Sequence, residues 1–302
     1  MLIFKDAKPD LLNTSAIALG VFDGIHKGHE AVIKTMLTKA QENNLASCVV
    51  TFSNHPFEIL QKTFIPSVIS LEKRLEIMQK LGVDAVLVLD FSKELLSLSA
   101  DGYLREILVK SLHPRFITLG FNHFFGANKK GNAEFLQNNA QKYGYEVLSI
   151  PPVKIGNETV SSSLIKKCIA QSNFEKANLC LGRDFSVEGE VVKGREIGHT
   201  IGFATANIVP ATQIIDIPNG VYAGWTFVNG KKYKSVVNVG IAPTLKNSAK
   251  TIETHLLNFD KDIYGQKIEI GFIKKIRNER KFDSKEELIE QIKKDCSYIS
   301  NL

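Results

Sequence analysis

The sequence predicts an α/β half built on a parallel, Rossmann-like sheet, followed by an antiparallel β-barrel half that ends in a helix. Three observations lead there. Short apolar runs alternate with helix-period segments from Ile17 to Ile150. Near Cys180-Leu181-Gly182-Arg183 the helical period stops and β-like runs with turn signals take over. Asn229-Gly230 then stands between two of those runs as a two-residue hairpin turn. A chain of 302 residues has room for two domains, read as 1–180 and 181–302.

Taken in order, Ile17-Ala18-Leu19 reads as a buried parallel strand. The stretch Gly20-Val21-Phe22-Asp23-Gly24-Ile25-His26-Lys27-Gly28-His29 turns from it into a helix whose first N–H groups attract phosphate. Val32, Ile33, Met36, Leu37 and Ala40 give that helix one apolar face up to Asn43-Asn44. Residues 46–52 form the next strand, Leu71, Leu75 and Met78 mark a helix closed by Gly82, and residues 85–89 form a third strand. Tyr103, Leu104, Ile107 and Leu108 make a helix before the strand 116–119, and 137–143 and 146–150 repeat the alternation. Ligands of such a sheet bind beyond the carboxyl ends of its strands. In the second half, 185–192, 222–228, 233–239, 251–259 and 267–276 read as strands, for which a closed barrel removes the edges. Ser284 and Glu287 form a capping box for a last helix with Leu288 and Ile292 on one face, expected to pack on the barrel.

Composition narrows the class. With 44% hydrophobic and 23% charged residues the chain can bury real cores and is not disordered. The start turns charged at Lys5-Asp6, too early for a signal peptide, and no long uncharged apolar run follows, so a cytoplasmic protein without membrane spans is expected. The four cysteines lack both CxxC spacing and a disulfide pattern and are expected to be buried or inert thiols. A net charge of +6 suits an anionic partner, whether nucleic acid, membrane surface or nucleotide phosphate. Nothing in the sequence sets the oligomeric state.

His26 and His29 stand three apart at a helix start, so their imidazoles share a side and can donate to a phosphoryl group as its charge grows. The surrounding stretch resembles the G-x-FDG-x-H-x-GH signature of the HxGH nucleotidyltransferase superfamily. That resemblance implies nucleotide-binding roles for Gly20, Phe22, Asp23, Gly24, His26 and His29, with the two histidines catalytic. Ser53-Asn54-His55-Pro56 is similar to the TFxPHP-like turn of the flavin adenylyltransferases. Residues 120–126, Gly-Phe-Asn-His-Phe-Phe-Gly, resemble their G-x-(D/N)-F-x-FG loop, and the basic Lys129-Lys130-Gly131 follows. His55, Asn122 and Gly126 are thereby implied to contact flavin, and Asn122 to be a metal ligand as well. Asn54 stands in place of a proline and His123 in place of a phenylalanine. Ser161-Ser162-Ser163-Leu164-Ile165-Lys166 resembles the SSTxIR motif, which implies that the three serines bind nucleotide phosphate and that Lys166 neutralises the leaving pyrophosphate. Lys166 is there a point charge where the motif has a planar five-donor fork.

In the second half, Gly202-Phe203-Ala204-Thr205-Ala206-Asn207 resembles the GFPTAN motif of riboflavin kinases. Residues 237–244 resemble their VNxGxxPT motif, and Glu253-Thr254-His255-Leu256-Leu257 resembles their ExHL motif. The likeness implies that Thr205 and Asn207 hold Mg²⁺ and ATP phosphate, that Glu253 is the base for the riboflavin 5′-hydroxyl, and that Arg277 lies near the flavin. His199, Ala204 and Ala242 depart from the motifs. The whole chain is similar to the bacterial bifunctional riboflavin kinase/FAD synthetases. It is therefore expected to phosphorylate riboflavin to FMN and adenylylate FMN to FAD with ATP and Mg²⁺, acting on small-molecule substrates with no membrane and no specific nucleic-acid partner. Two other readings compete: a riboflavin kinase with a degenerate N-terminal domain, and a basic nucleic-acid-binding protein with a barrel reader. The second lacks an aromatic-basic recognition motif.

Overall fold

The structure, a computed structural model, describes residues 1–54, 66–194, 202–210, 214–243 and 248–302, and the chain divides into two compact units, Met1–Ser162 and Ser163–Leu302.

The first unit is a six-stranded parallel sheet in the order β1-β4-β3-β2-β5-β6. Its strands are β1 (Leu2–Phe4), β2 (Ser15–Leu19), β3 (Ala46–Phe52), β4 (Ala85–Leu89), β5 (Pro114–Gly120) and β6 (Glu146–Ile150). Between them run α1 (Lys27–Glu42), α2 (Leu71–Lys80), a helical run α3 whose middle, Tyr103–Val109, is π-type, and α4 (Ala133–Tyr143). Both faces are covered, as parallel strands require. Ile17 and Leu19 face a layer holding Leu104, Leu108 and Leu136, while Ala16 and Ala18 face Val32, Ile33, Met36 and Met78. From β2 the sheet extends to one side through β3, β4 and the preceding β1, and to the other through β5 and β6. A crevice beyond the carboxyl ends of β2 and β5 is where such a sheet takes a ligand. Strand β1 escapes the sequence reading: three residues show no period, and as an edge strand it leaves Leu2 and Ile3 exposed.

After β6, two short strands, β7 (Lys154–Ile155) and β8 (Glu158–Thr159), pair antiparallel. The second unit is a closed antiparallel barrel in the order β10-β13-β12-β11-β14-β9. Its strands are β9 (Phe185–Val192), β10 (Ala206–Pro210), β11 (Gly220–Val228), β12 (Lys231–Pro243), β13 (Ser248–Leu256) and β14 (Lys267–Arg277). Asn229 and Gly230 join β11 to β12 with φ of 51° and 75°, the left-handed pair that a type I′ turn demands. Strand β10 is absent from the sequence reading. It has five residues ending in proline, and its extended form comes from pairing with β9 and β13 on its two sides. Strand β13 stops at Leu256, short of the expected 259, where Asn258 turns left-handed at φ 57°.

Two helices, α5 (Ser162–Ala170) and α6 (Phe174–Leu181), precede the barrel. Phe174 of α6 packs among Phe185, Tyr222 and Phe272, with ring centroids 5.1–5.8 Å away, and Asn178 donates to the Phe272 carbonyl at 2.8 Å. In packing, α6 therefore groups with the barrel, although the sequence pattern changes only near residue 180. The last helix, α7 (Lys285–Ser300), sets Ile299 and Cys296 against Val221, Ala223 and Val236 of the barrel. Ser284 Oγ accepts from Glu287 N at 3.1 Å, but the Glu287 carboxylate returns to Asp283 N, one residue before the cap.

All four cysteines are free; three are buried, and burial pushes the Cys48 thiol up to about 12. Among the described residues, no helix is long and apolar enough to cross a membrane.

Candidate active sites

At the end of β2 the backbone is forced into a tight loop, with φ of 54° at Phe22, 85° at Gly24 and 36° at Ile25. Left-handed φ at phenylalanine and isoleucine is strained and persists only where the surroundings impose it. They do so here. Asp23 Oδ1 accepts from Val68 N at 2.8 Å, and Ser162 Oγ donates to the Asp23 carbonyl at 2.8 Å. Arg74 Nη1 donates to the Val21 carbonyl at 2.7 Å. Gly20 and Gly28 make room for the two rings: a Cβ would clash with the Phe22 ring at 2.9 Å at one and press on the His26 ring at 3.1 Å at the other.

His26 caps α1, its Nδ1 accepting from His29 N at 3.3 Å, which leaves the proton of the neutral ring on Nε2. The two imidazoles stack with centroids 3.6 Å apart and 16° between planes. Stacked rings cannot both carry charge cheaply. Burial, then His26, Arg74 and His123, hold His29 well below its ordinary value of 6.5, so it is neutral at pH 7. His29 Nδ1 is buried with no hydrogen-bond partner. His29 is thus a neutral N–H donor stacked on His26 at a helix N-terminus, an arrangement suited to phosphate.

Around this pair lie the ends of β3 and β5. Asn54 binds the backbone of Phe91 both ways, accepting at 2.8 Å and donating at 3.2 Å, a tie a proline cannot make. His55 lies outside the described residues. After β5, Asn122 is exposed and His123 is half-buried, its pKa lowered by burial to about 4. Gly126 has φ 69°, and a Cβ there would lie 2.7 Å from the Ala100 backbone, so close packing alone accounts for this glycine. Ser161 and Ser162 are half-buried; on α5, Ser163 is exposed and Lys166 half-buried.

In the barrel the two-residue period separates core from chemistry. Ile252, Thr254 and Leu256 are buried, while Glu253 and His255 face the other way. Glu253 lies in register with Asn207 on one side and Asn238 on the other. Thr205, Asn238, Glu253, His255 and Arg277 line one cavity of about 340 Å³, closed by Leu288, Ile292 and Asp295 of α7. A second cavity of about 510 Å³, lined by Ala204, Phe259 and Tyr264 among others, shares Thr205 and His255 with the first. His255 is held at this junction by its Nδ1 contact with the Ala204 carbonyl, 2.8 Å. Asn207 lines neither cavity. Its amide fills the space a side chain at Gly194 would need, since a Cβ there would lie 2.2 Å from Asn207 Nδ2.

Arg277 meets the buried Asp295 through Nε at 3.1 Å and Nη2 at 2.8 Å, and Gln291 donates to the same carboxylate at 2.8 Å. Sequence reasoning missed Asn238, His255, Arg74 and Asp295. Asn238 and His255 sit inside quoted motifs and could have been found there; Arg74 and Asp295 look like surface charges on amphipathic helices, and only tertiary packing reveals them. His199 and Thr244 lie outside the described residues.

Residues 8–164 match the FAD synthetase family and residues 181–302 the riboflavin kinase family. The chain is 34% identical over 293 residues to the bifunctional riboflavin kinase/FMN adenylyltransferase of Buchnera aphidicola subsp. Schizaphis graminum, covering 95% of this chain and 93% of the other. It is 34% identical over 298 residues to the protein of that name from Bacillus subtilis, covering 95% and 93%. A solved chain described as a macrolide-efflux protein from Streptococcus pneumoniae superposes with a TM-score of 0.91 at 29% identity, covering 100% of both chains. With both halves matched in order, the chain belongs to the bifunctional riboflavin kinase/FMN adenylyltransferase family.

Proposed function

We propose that the barrel unit transfers the γ-phosphoryl group of ATP to riboflavin, giving FMN, and that the first unit transfers the adenylyl group of a second ATP to FMN, giving FAD and pyrophosphate. The observation that carries the reading is the cavity in which Thr205, Glu253 and Arg277, from three separate stretches of sequence, meet beside a second cavity sharing Thr205. Two substrates need two adjoining pockets, and the base Glu253 lines one of them, along with the shared Thr205 and His255.

In the barrel, Glu253 accepts the proton of the riboflavin 5′-hydroxyl as its oxygen attacks the γ-phosphorus. Arg277, held in plane by Asp295, orients the flavin. Among the described residues no three His, Cys, Asp or Glu side chains converge as metal ligands. A magnesium ion brought with ATP would draw on the hydroxyl of Thr205, a hard donor lining both cavities, and would supply charge neutralisation on the transferring group; Asn207, which lines neither cavity, does not fit as its second ligand here. In the first unit an FMN phosphate oxygen attacks the α-phosphorus of ATP and pyrophosphate leaves. His26 and His29 donate to the phosphoryl oxygens as charge builds, and Ser161 and Ser162 bind phosphate. Asn122 and Gly126 border the flavin, with Asn122 exposed for a metal or a polar flavin group.

The test is to incubate the chain with riboflavin, ATP and Mg²⁺ and separate the flavins by chromatography. FMN followed by FAD is expected; FMN alone would make the first unit a degenerate scaffold, and neither product would overturn the reading.

A further inference from the structure

Arg74 is 4% exposed, yet it meets no substrate-facing motif in the sequence and its acceptors are neutral. Nη1 donates to the Val21 carbonyl at 2.7 Å and to Thr51 Oγ1 at 3.2 Å, Nη2 donates to the Phe52 carbonyl at 3.0 Å, and Nε is buried without a partner. A guanidinium buried this way costs stability that an apolar side chain of similar volume would not. Its acceptors explain its presence. Val21 opens the strained loop that ends in His26, and Thr51 and Phe52 close β3, so one planar fork ties together the ends of two adjacent strands. Thr51 Oγ1 adds its own bond to the Val21 carbonyl at 2.9 Å. The same segment grips the loop again through Val68 N and Asp23.

We propose that Arg74 is a positioning residue for adenylyl transfer: from the first turn of α2 it fastens the histidine-bearing loop to the end of β3. The role rests on the assignment of that reaction to the first unit. It has a second, electrical side. The groups acting electrostatically on His29 are His26, Arg74 and His123, Asp23 acts in turn on Arg74, and the positive charge of Arg74 favours the neutral imidazole.

The experiment compares the full-length parent with Arg74→Gln, Arg74→Lys and Thr51→Val, measuring FAD formation from FMN, ATP and Mg²⁺, FMN formation from riboflavin, thermal unfolding, and His29 titration by NMR. Arg74→Gln is expected to lower kcat for FAD formation about tenfold or more. It should leave KM for FMN within about twofold, leave FMN formation intact and raise the His29 pKa. Arg74→Lys keeps the charge, so it should keep the parent titration and recover part of kcat. A folded Arg74→Gln with parental kcat and parental His29 titration would reduce Arg74 to a core residue and overturn the proposal. Should that variant unfold, Thr51→Val decides: a several-fold loss of kcat supports the clamp and a parental kcat removes it. A parent that makes FMN but no FAD would instead overturn the assignment of the reaction, and the proposal with it.

Discussion

Two charged or chargeable residues in this chain give their reasons only in the fold. His123 has a pKa depressed from 6.5 to about 4, so the unfolded chain binds its proton first. Above pH 6.5 both states are neutral there and nothing is lost; as pH falls from 6.5 toward 4, the folded state loses stability. His123→Phe should remove this loss, so that between pH 6.5 and 4 the variant loses up to about 1 kcal/mol less per pH unit than the parent in denaturant titrations. Equal acid sensitivity would show that His123 titrates freely. Asp295, 2% exposed, anchors Arg277 in the wall of the cavity proposed for flavin. Asp295→Ala leaves the guanidinium without its counter-charge and should cost about 3 kcal/mol. In whatever remains folded, KM for riboflavin should rise while FAD formation from supplied FMN continues. A variant with parental unfolding and parental KM would mean the ion pair is ornamental.

At the scale of elements, what the sequence discloses follows from how local the cause is. Strands 46–52, 85–89, 146–150 and 185–192 were legible to the residue because burial on one or both faces writes a pattern into the strand itself. Strands β1 and β10 were not, since three and five residues carry no period and owe their conformation to neighbours distant in sequence. Site residues divide the same way. His26, His29, Thr205 and Glu253 announce themselves through motifs, whereas Arg74 and Asp295 act through contacts over 18 residues or more. Glycines show the difference as energies. Gly230, φ 75°, has open space around its Cβ position, so Gly230→Ala meets only backbone strain and should cost about 1 kcal/mol. Gly126→Ala adds a clash with the Ala100 backbone to the same strain. It should cost about 3 kcal/mol or more and reduce FAD formation while FMN formation persists. Paired thermal unfolding curves check both; equal costs would show that the loop after β5 yields around residue 126.

For the whole molecule, the two reactions are proposed to occupy different compact units while sharing one intermediate. FMN would then be the product of the barrel and the substrate of the parallel-sheet unit, so a lesion in each is expected to give opposite flavin profiles. Glu253→Gln preserves the shape of the side chain and removes its basicity, and FMN formation should fall by about 10² or more. The same variant, supplied with FMN, should make FAD at the parental rate, because residue 253 belongs to Ser163–Leu302 and the histidine pair to Met1–Ser162. His29→Ala removes one of the two stacked imidazoles proposed to meet phosphate. Riboflavin should then be converted to FMN, which accumulates, and little FAD should appear. Chromatography of the four combinations, each variant with riboflavin or with FMN, reads all of this at once. Loss of both activities in either variant, with the fold intact by circular dichroism, would mean that one site serves both transfers, and the division of labour drawn from the two units would be wrong.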